Sequence, residues 1–105
     1  MNAEEILEVC FQIIMYAGNA RSMAMESISL AKEAKFEEAK ELLAEARAEV
    51  NKAHRFQTNL IQAEANGSKN EISVLLIHSQ DHLMNGMTVL DMAEEFINLY
   101  ELVKK

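Results

Sequence analysis

The residues with the most chemical capacity in this chain lie together at His78-Ser79-Gln80-Asp81-His82. Val74-Leu75-Leu76-Ile77 leads in, Leu83-Met84-Asn85-Gly86-Met87 leads out, and the chain contains no proline. On a helix, residues four apart share a face, so His78 and His82 are neighbours and Asp81 sits beside both. Burying such groups without partners costs about 1–3 kcal/mol each. A fold that carries three of them either satisfies them or uses them. Three uses compete. A His-x-x-x-His pair can chelate zinc from one helix face, although the peptidase form needs a glutamate directly after the first histidine, and Ser79 stands there. A neutral imidazole is also a nucleophile, because its unperturbed pKa is about 6.5, and a phosphorylated ring nitrogen can hand the group on. That use needs an exposed nucleophile (His78), a neighbouring donor for the phosphoryl oxygens (His82, with Gln80 as helper), and an open surface for partner proteins. In the third use both histidines are structural, and the chain is a non-catalytic helical interaction or regulatory module.

The rest of the composition narrows the setting. A chain of 105 residues fits one small domain, read here as residues 1–105. Half of the residues are hydrophobic, yet no apolar run approaches the roughly 20 residues of a membrane span. The acidic start Met-Asn-Ala-Glu-Glu does not read as a secretory signal. One cysteine, Cys10, provides no internal disulfide framework, which makes a reducing cytoplasm the simplest location. Cys10 itself reads as a small core residue. A net charge of −7 argues against nucleic acid as a partner and suits contact with basic or mixed protein surfaces. The seven methionines read mainly as core filling.

Three helices must position the cluster, spanning about 3–32, 36–65 and 71–104. In the first, Asn2 with Glu5 makes a capping arrangement. Ile6, Val9/Cys10, Ile13, Ala17, Ala20, Ala24, Ile28 and Ala31 follow at helical steps. Small residues from Ala17 to Ala24 admit a close neighbour. Gly18 costs this helix about 1 kcal/mol relative to Ala, for which a packing reason and a site-related reason both stand. The stripe slips between Ala31 and Phe36, so a tight turn is expected near 33–35. It resumes as Phe36, Ala39, Leu43, Ala46, Val50, Ala53, Gln57, Leu60 and Ala63. Glu37–Lys40 and Glu49–Lys52 are expected as pairs on its surface, and His54 as a structural histidine. Gly67 can end this helix in a left-handed cap. Ser68 with Glu71 reads as the capping box of the third helix, with Asn70 and Ser73 as a competing start. Leu83, Met87, Leu90, Ala93, Ile97 and Tyr100 form its core stripe.

Short connections between helices about 45 Å long make neighbours antiparallel. The expected fold is therefore all-α, an up-down-up three-helix bundle. A further stripe on the third helix, Ile77, Asp81, Met84, Thr88 and Asp91, exceeds what such a bundle buries and predicts an oligomer. His78 lies about 60° from Asp81 around that helix, at the edge of the seam.

The segment His78-Ser79-Gln80-Asp81-His82-Leu83-Met84 resembles the active-site signature of the lactose/cellobiose-class IIA proteins of the bacterial phosphoenolpyruvate-dependent sugar phosphotransferase system. Tyr16-Ala17-Gly18-Asn19-Ala20-Arg21-Ser22, Ala53-His54 with Gln57-Thr58, and Leu99-Tyr100 resemble other stretches of the same family, in the same order. Ala24-Met25-Glu26 and Asp91-Met92-Ala93-Glu94-Glu95 look closer to its cellobiose/chitobiose-type members than to lactose-type ones. The family often has Gly-Asp in the first inter-helix turn, where this chain reads Ala34-Lys35. The resemblance implies a phosphoryl carrier in which His78 takes phosphate from phospho-HPr. It would pass the group to a cysteine of the IIB component during sugar uptake through the IIC membrane component. It further implies that His82 lies beside the phosphoryl group. Asp81 would face the three-fold axis of a homotrimer, where three copies share one divalent cation such as Mg²⁺. Three carboxylates meeting in a seam would repel one another, and a hard cation would offset that repulsion.

Overall fold

The first helix starts where two backbone donors find side-chain oxygens. Glu5 N donates to Asn2 Oδ1 at 2.9 Å, and Asn2 N donates to Glu5 Oε1 at 3.4 Å, completing a reciprocal cap. In the structure, a computed structural model that describes residues 1–69 and 71–104, helix α1 runs Ala3–Lys32, α2 Phe36–Ala65 and α3 Val74–Val103. Among the described residues there is no strand. The molecule is a rod of 54 × 19 × 18 Å. Each 30-residue helix is about 45 Å long, so each runs most of its length and the path is up-down-up.

Both turns are closed by the same device. After α1, Lys35 N donates to Leu30 O and Ala34 N to Ala31 O, each at 3.0 Å. After α2, Ser68 N donates to Ala63 O and Gly67 N to Glu64 O, also at 3.0 Å. This paired pattern satisfies the last carbonyls of a helix and requires a left-handed residue at its centre. Gly67 fills that place at φ 95°, whereas in the first turn Ala34 is held at φ 62°.

The core is built largely from small residues. Ala17, Ala20, Ala24, Ala31, Ala39, Ala46, Ala53 and Ala93 are all fully buried, with Ile13, Leu83, Leu90 and Ile97 supplying bulk. Cys10 is buried among them. Alanine-rich faces let helix axes approach closely, and α1 is the helix that packs most extensively on both others. The approach is tightest where Gly86 of α3 crosses α1: a Cβ there would lie 3.2 Å from the Ala17 carbonyl oxygen. Two hydroxyls are buried as well. Ser27 Oγ donates to Ala24 O at 2.6 Å and Ser79 Oγ to Leu76 O at 2.7 Å, which removes the penalty of an unpaired polar group.

Four expectations need correction. Helix α3 begins at Val74, after an N-cap by Ser73, whose Oγ accepts from Leu76 N at 3.1 Å. Glu71 and Ile72 therefore precede the helix, and Asn70 lies outside the described residues. Lys40 reaches across to Glu101 on α3 at 3.0 Å rather than back to Glu37, because the antiparallel seam brings Glu101 opposite; Glu49–Lys52 does pair, at 3.5 Å. Met1, Met15, Met25, Met84 and Met92 are exposed rather than core, and only Met23 and Met87 pack partly buried, because alanine leaves the core little space for long side chains. His54 is exposed, not a satisfied interior histidine.

Candidate active site

Cap placement fixes the depth of the site. With Ser73 as N-cap, His78 falls in the second turn of α3, close to one end of the rod. Ser79, Leu83, Gly86, Leu90, Ala93 and Ile97 form the buried face of α3. Stepping 100° per residue, His82 lies about 60° and His78 about 100° from the centre of that face, on the same flank. His82 is accordingly half-buried and His78 exposed. Their ring centroids are 4.9 Å apart with planes tilted by 49°, so one ring can hold what the other carries. Among the described residues neither ring takes part in a hydrogen bond with the protein, which leaves nitrogens of both for a ligand.

The flank is shaped by Gly18 of α1. A Cβ at Gly18 would sit 3.6 Å from His82 Nε2 and 3.9 Å from His82 Cδ2. The glycine therefore lies directly beside the His82 ring, where an added methyl would make only an ordinary contact, so a packing reason and a site-related reason for it both remain.

Gln80 is not brought to the imidazoles. It lies about 160° around α3 from His78, facing α2. There Gln57 Nε2 donates to its Oε1 at 2.8 Å, and its own Nε2 donates to Ser79 Oγ at 3.2 Å. Within one chain the amide cannot hold a group on His78. Sequence reading missed Gln57 as its partner, because that contact depends on the register of α2 against α3; the signal available was a polar residue in an apolar stripe.

Asp81 points about 160° away from the buried face and is exposed, its Oδ2 accepting, among the described residues, only from Asn85 Nδ2 at 3.3 Å. Ile77 is 59% and Met84 45% exposed on the same outward stripe. Among the described residues no three His, Cys, Asp or Glu side chains converge within one chain, so a metal centre at Asp81 requires donors from other copies. No helix is long and apolar enough to cross a membrane among the described residues.

Comparison with known proteins identifies the family of the chain. Residues 8–101 match the family model of the PTS system, Lactose/Cellobiose specific IIA subunit. The chain is 54% identical over 100 residues to the lichenan-specific phosphotransferase enzyme IIA component of Bacillus subtilis, covering 95% of this chain and 91% of that protein. It is 39% identical over 102 residues to the N,N'-diacetylchitobiose-specific EIIA component of Escherichia coli K12, covering 97% and 88%. The cellobiose-specific enzyme IIA crystal structure from Bacillus anthracis superposes with a TM-score of 0.93 at 52% identity, covering 99% of this chain and 94% of that one. The solution structure of the Escherichia coli IIA(Chitobiose)–HPr complex superposes at 0.84 with 38% identity, covering 98% and 100%. The chain belongs to the lactose/cellobiose-specific IIA family of the phosphotransferase system and is a phosphotransferase component.

Proposed function

We propose that this protein is a cytoplasmic phosphoryl carrier that accepts phosphate on His78 from phospho-HPr and delivers it to a cysteine of a IIB component. The delivery accompanies uptake of a disaccharide through a IIC membrane component. The observation that carries this reading is the exposed His78 ring, 4.9 Å from the half-buried His82 ring, on a flank bordered by Gly18. A lone pair on a His78 ring nitrogen attacks phosphorus, and the P–N bond to the HPr histidine breaks with its electron pair returning to that ring. His82, one turn on and anchored against α1, donates to a phosphoryl oxygen. The IIB thiolate then attacks the same phosphorus and the His78 imidazole leaves. Exposure matters because both partners must reach the same ring in turn.

Support for a cellobiose-type sugar over lactose comes from the lichenan-specific relative at 54% and the cellobiose-specific structure at 52% identity, against 40% for the lactose-specific EIIA component of Staphylococcus epidermidis, whereas the chitobiose-specific relative, at 39%, stands level with the lactose-specific one. The net charge of −7 argues against nucleic acid as a partner. We also propose a homotrimer in which the outward stripe Ile77, Asp81, Met84 and Thr88 packs against its copies. The Asp81 carboxylate is exposed and borne on that stripe, and carboxylate oxygens suit a hard divalent cation such as Mg²⁺. One such ion shared by three copies would neutralise the carboxylates there. The test of the carrier is incubation with phosphoenolpyruvate, enzyme I and HPr, followed by phosphopeptide mapping. One phosphoryl per chain on His78 is expected, with none on His78→Ala; full labelling of that variant overturns the assignment.

A further inference from the structure

Helices α2 and α3 meet less extensively than either meets α1. Among the described residues three polar rungs join them. Lys40–Glu101 at 3.0 Å and Arg47–Glu94 at 3.2 Å are exposed ion pairs. The third is the part-buried bond from Gln57 Nε2 to Gln80 Oε1 at 2.8 Å. Glu94 lies about 21 Å along the α3 axis from Gln80, so only the Gln57 rung is level with the imidazoles.

This rung continues into the backbone beside His78. The single proton of Ser79 Oγ goes to Leu76 O at 2.7 Å, which leaves the hydroxyl oxygen as acceptor for Gln80 Nε2 at 3.2 Å. Gln57, donating to the other end of the same amide, fixes the orientation that aims its nitrogen at Ser79. The chain of bonds therefore has one direction, from α2 through Gln80 and Ser79 to the turn of α3 between Leu76 and Ser79, which carries His78. On the opposite flank α3 is held against α1 by the Gly86–Ala17 crossing and by His82 over Gly18.

We propose that Gln57, acting through Gln80 and Ser79, is a positioning residue for His78, fixing the rotation of α3 about its own axis at the level of the ring; this rests on the carrier reading above. At a side-chain radius of about 5–6 Å, a rotation of about 10° moves the ring by about 1 Å. A displacement of about 1 Å at a reacting atom can cost on the order of 10²-fold in rate. Gln57 faces α3 from α2 and touches no reacting atom within the chain, so its effect falls on how often His78 is aligned, not on how tightly HPr binds.

The experiment measures steady-state transfer from phospho-HPr to the full chain for Gln57→Leu, Gln80→Leu, the double variant, and Arg47→Leu as a control on the same seam. Expected are a roughly tenfold fall in kcat with unchanged KM for HPr in each single glutamine variant, and a double variant no worse than the worse single. Arg47→Leu should stay within about twofold of wild type. The ring resonances of His78 should move in Gln57→Leu and stay in place in Arg47→Leu. Gln57→Glu keeps the side-chain length, removes the donor, and decides the matter if Gln57→Leu does not fold. Wild-type kcat with unmoved His78 resonances overturns the proposal, and so does an equal fall in Arg47→Leu, which would make the rung an ordinary seam contact. A wild-type chain that takes no label overturns the carrier reading instead.

Discussion

Two imidazoles one turn apart are equivalent in the sequence and unequal in the fold. His82 is half-buried against α1 while His78 stands free, and the difference follows from a 40° offset around one helix, as four residues at 100° each give. In the proposed carrier their roles would separate accordingly, the exposed ring accepting and the half-buried ring holding. On that reading, replacing His82 by Ala leaves the proposed acceptor His78 in place but removes the donor proposed for the phosphoryl oxygens. Transfer from phospho-HPr should slow on the order of 10²-fold, with phosphopeptide mapping still placing the label on His78. Gly18→Ala separates stability from chemistry. The added methyl would meet His82 Nε2 at 3.6 Å, an ordinary contact, so helix α1 gains up to about 1 kcal/mol of propensity. The same methyl covers the nitrogen that would hold the phosphate. Urea unfolding should show an equal or more stable protein, and the transfer assay a slower one.

At the scale of the elements, the first turn stores a mismatch. Ala34 sits at φ 62° in the place where Gly67 serves the second turn, and the left-handed conformation costs an L-residue about 1–2 kcal/mol. Ala34→Gly relieves that cost and returns part of it as extra freedom in the unfolded chain. A net gain of about 0.5–1 kcal/mol is expected, read as a higher urea midpoint with unchanged slope. This turn also shows how far the sequence could be read. The slip of the hydrophobic stripe between Ala31 and Phe36 located it, because a break in helical rhythm is a local signal, although no glycine marks the spot. The start of α3 was harder to read, since Ser68, Asn70 and Ser73 are all plausible caps by residue type. Only the packing of Leu76 and Ser79 against the bundle selects Ser73. Buried Ser79 and Gly86 were passed over as core for a related reason: their value lies in what small residues permit across an interface, and a scale of hydrophobicity does not register that. His78 and His82 were legible because charge-capable side chains inside an apolar run stand out without any knowledge of the partners.

At the scale of the whole molecule, large apolar side chains are left exposed mainly on two of the three helices. Leu7, Phe11, Met15 and Met25 on α1 and Ile77, Met84, Met92, Phe96 and Leu99 on α3 are exposed, whereas α2 exposes Ile61 alone among its large apolar side chains. A charged helix and two with exposed apolar side chains suit the proposed trimer, in which α1 and α3 would face the copies. Asp81 would lie in that interface, and packing it there without compensation would place like charges together in a low dielectric. Light scattering should therefore give about three times the 11.9 kDa chain mass. The melting temperature should rise with protein concentration and with added Mg²⁺ and fall with EDTA, because a cation bound only by the assembled state stabilises it by mass action. In Asp81→Leu the trimer should persist, since apolar replacement of buried charge is commonly tolerated, while the response to Mg²⁺ and EDTA disappears. A monomeric wild type removes the assembly and the shared cation together. A wild-type trimer whose melting ignores EDTA keeps the assembly and removes the cation, leaving the three carboxylates to be relieved by protonation or by Asn85, the neighbour to which Asp81 is already bonded.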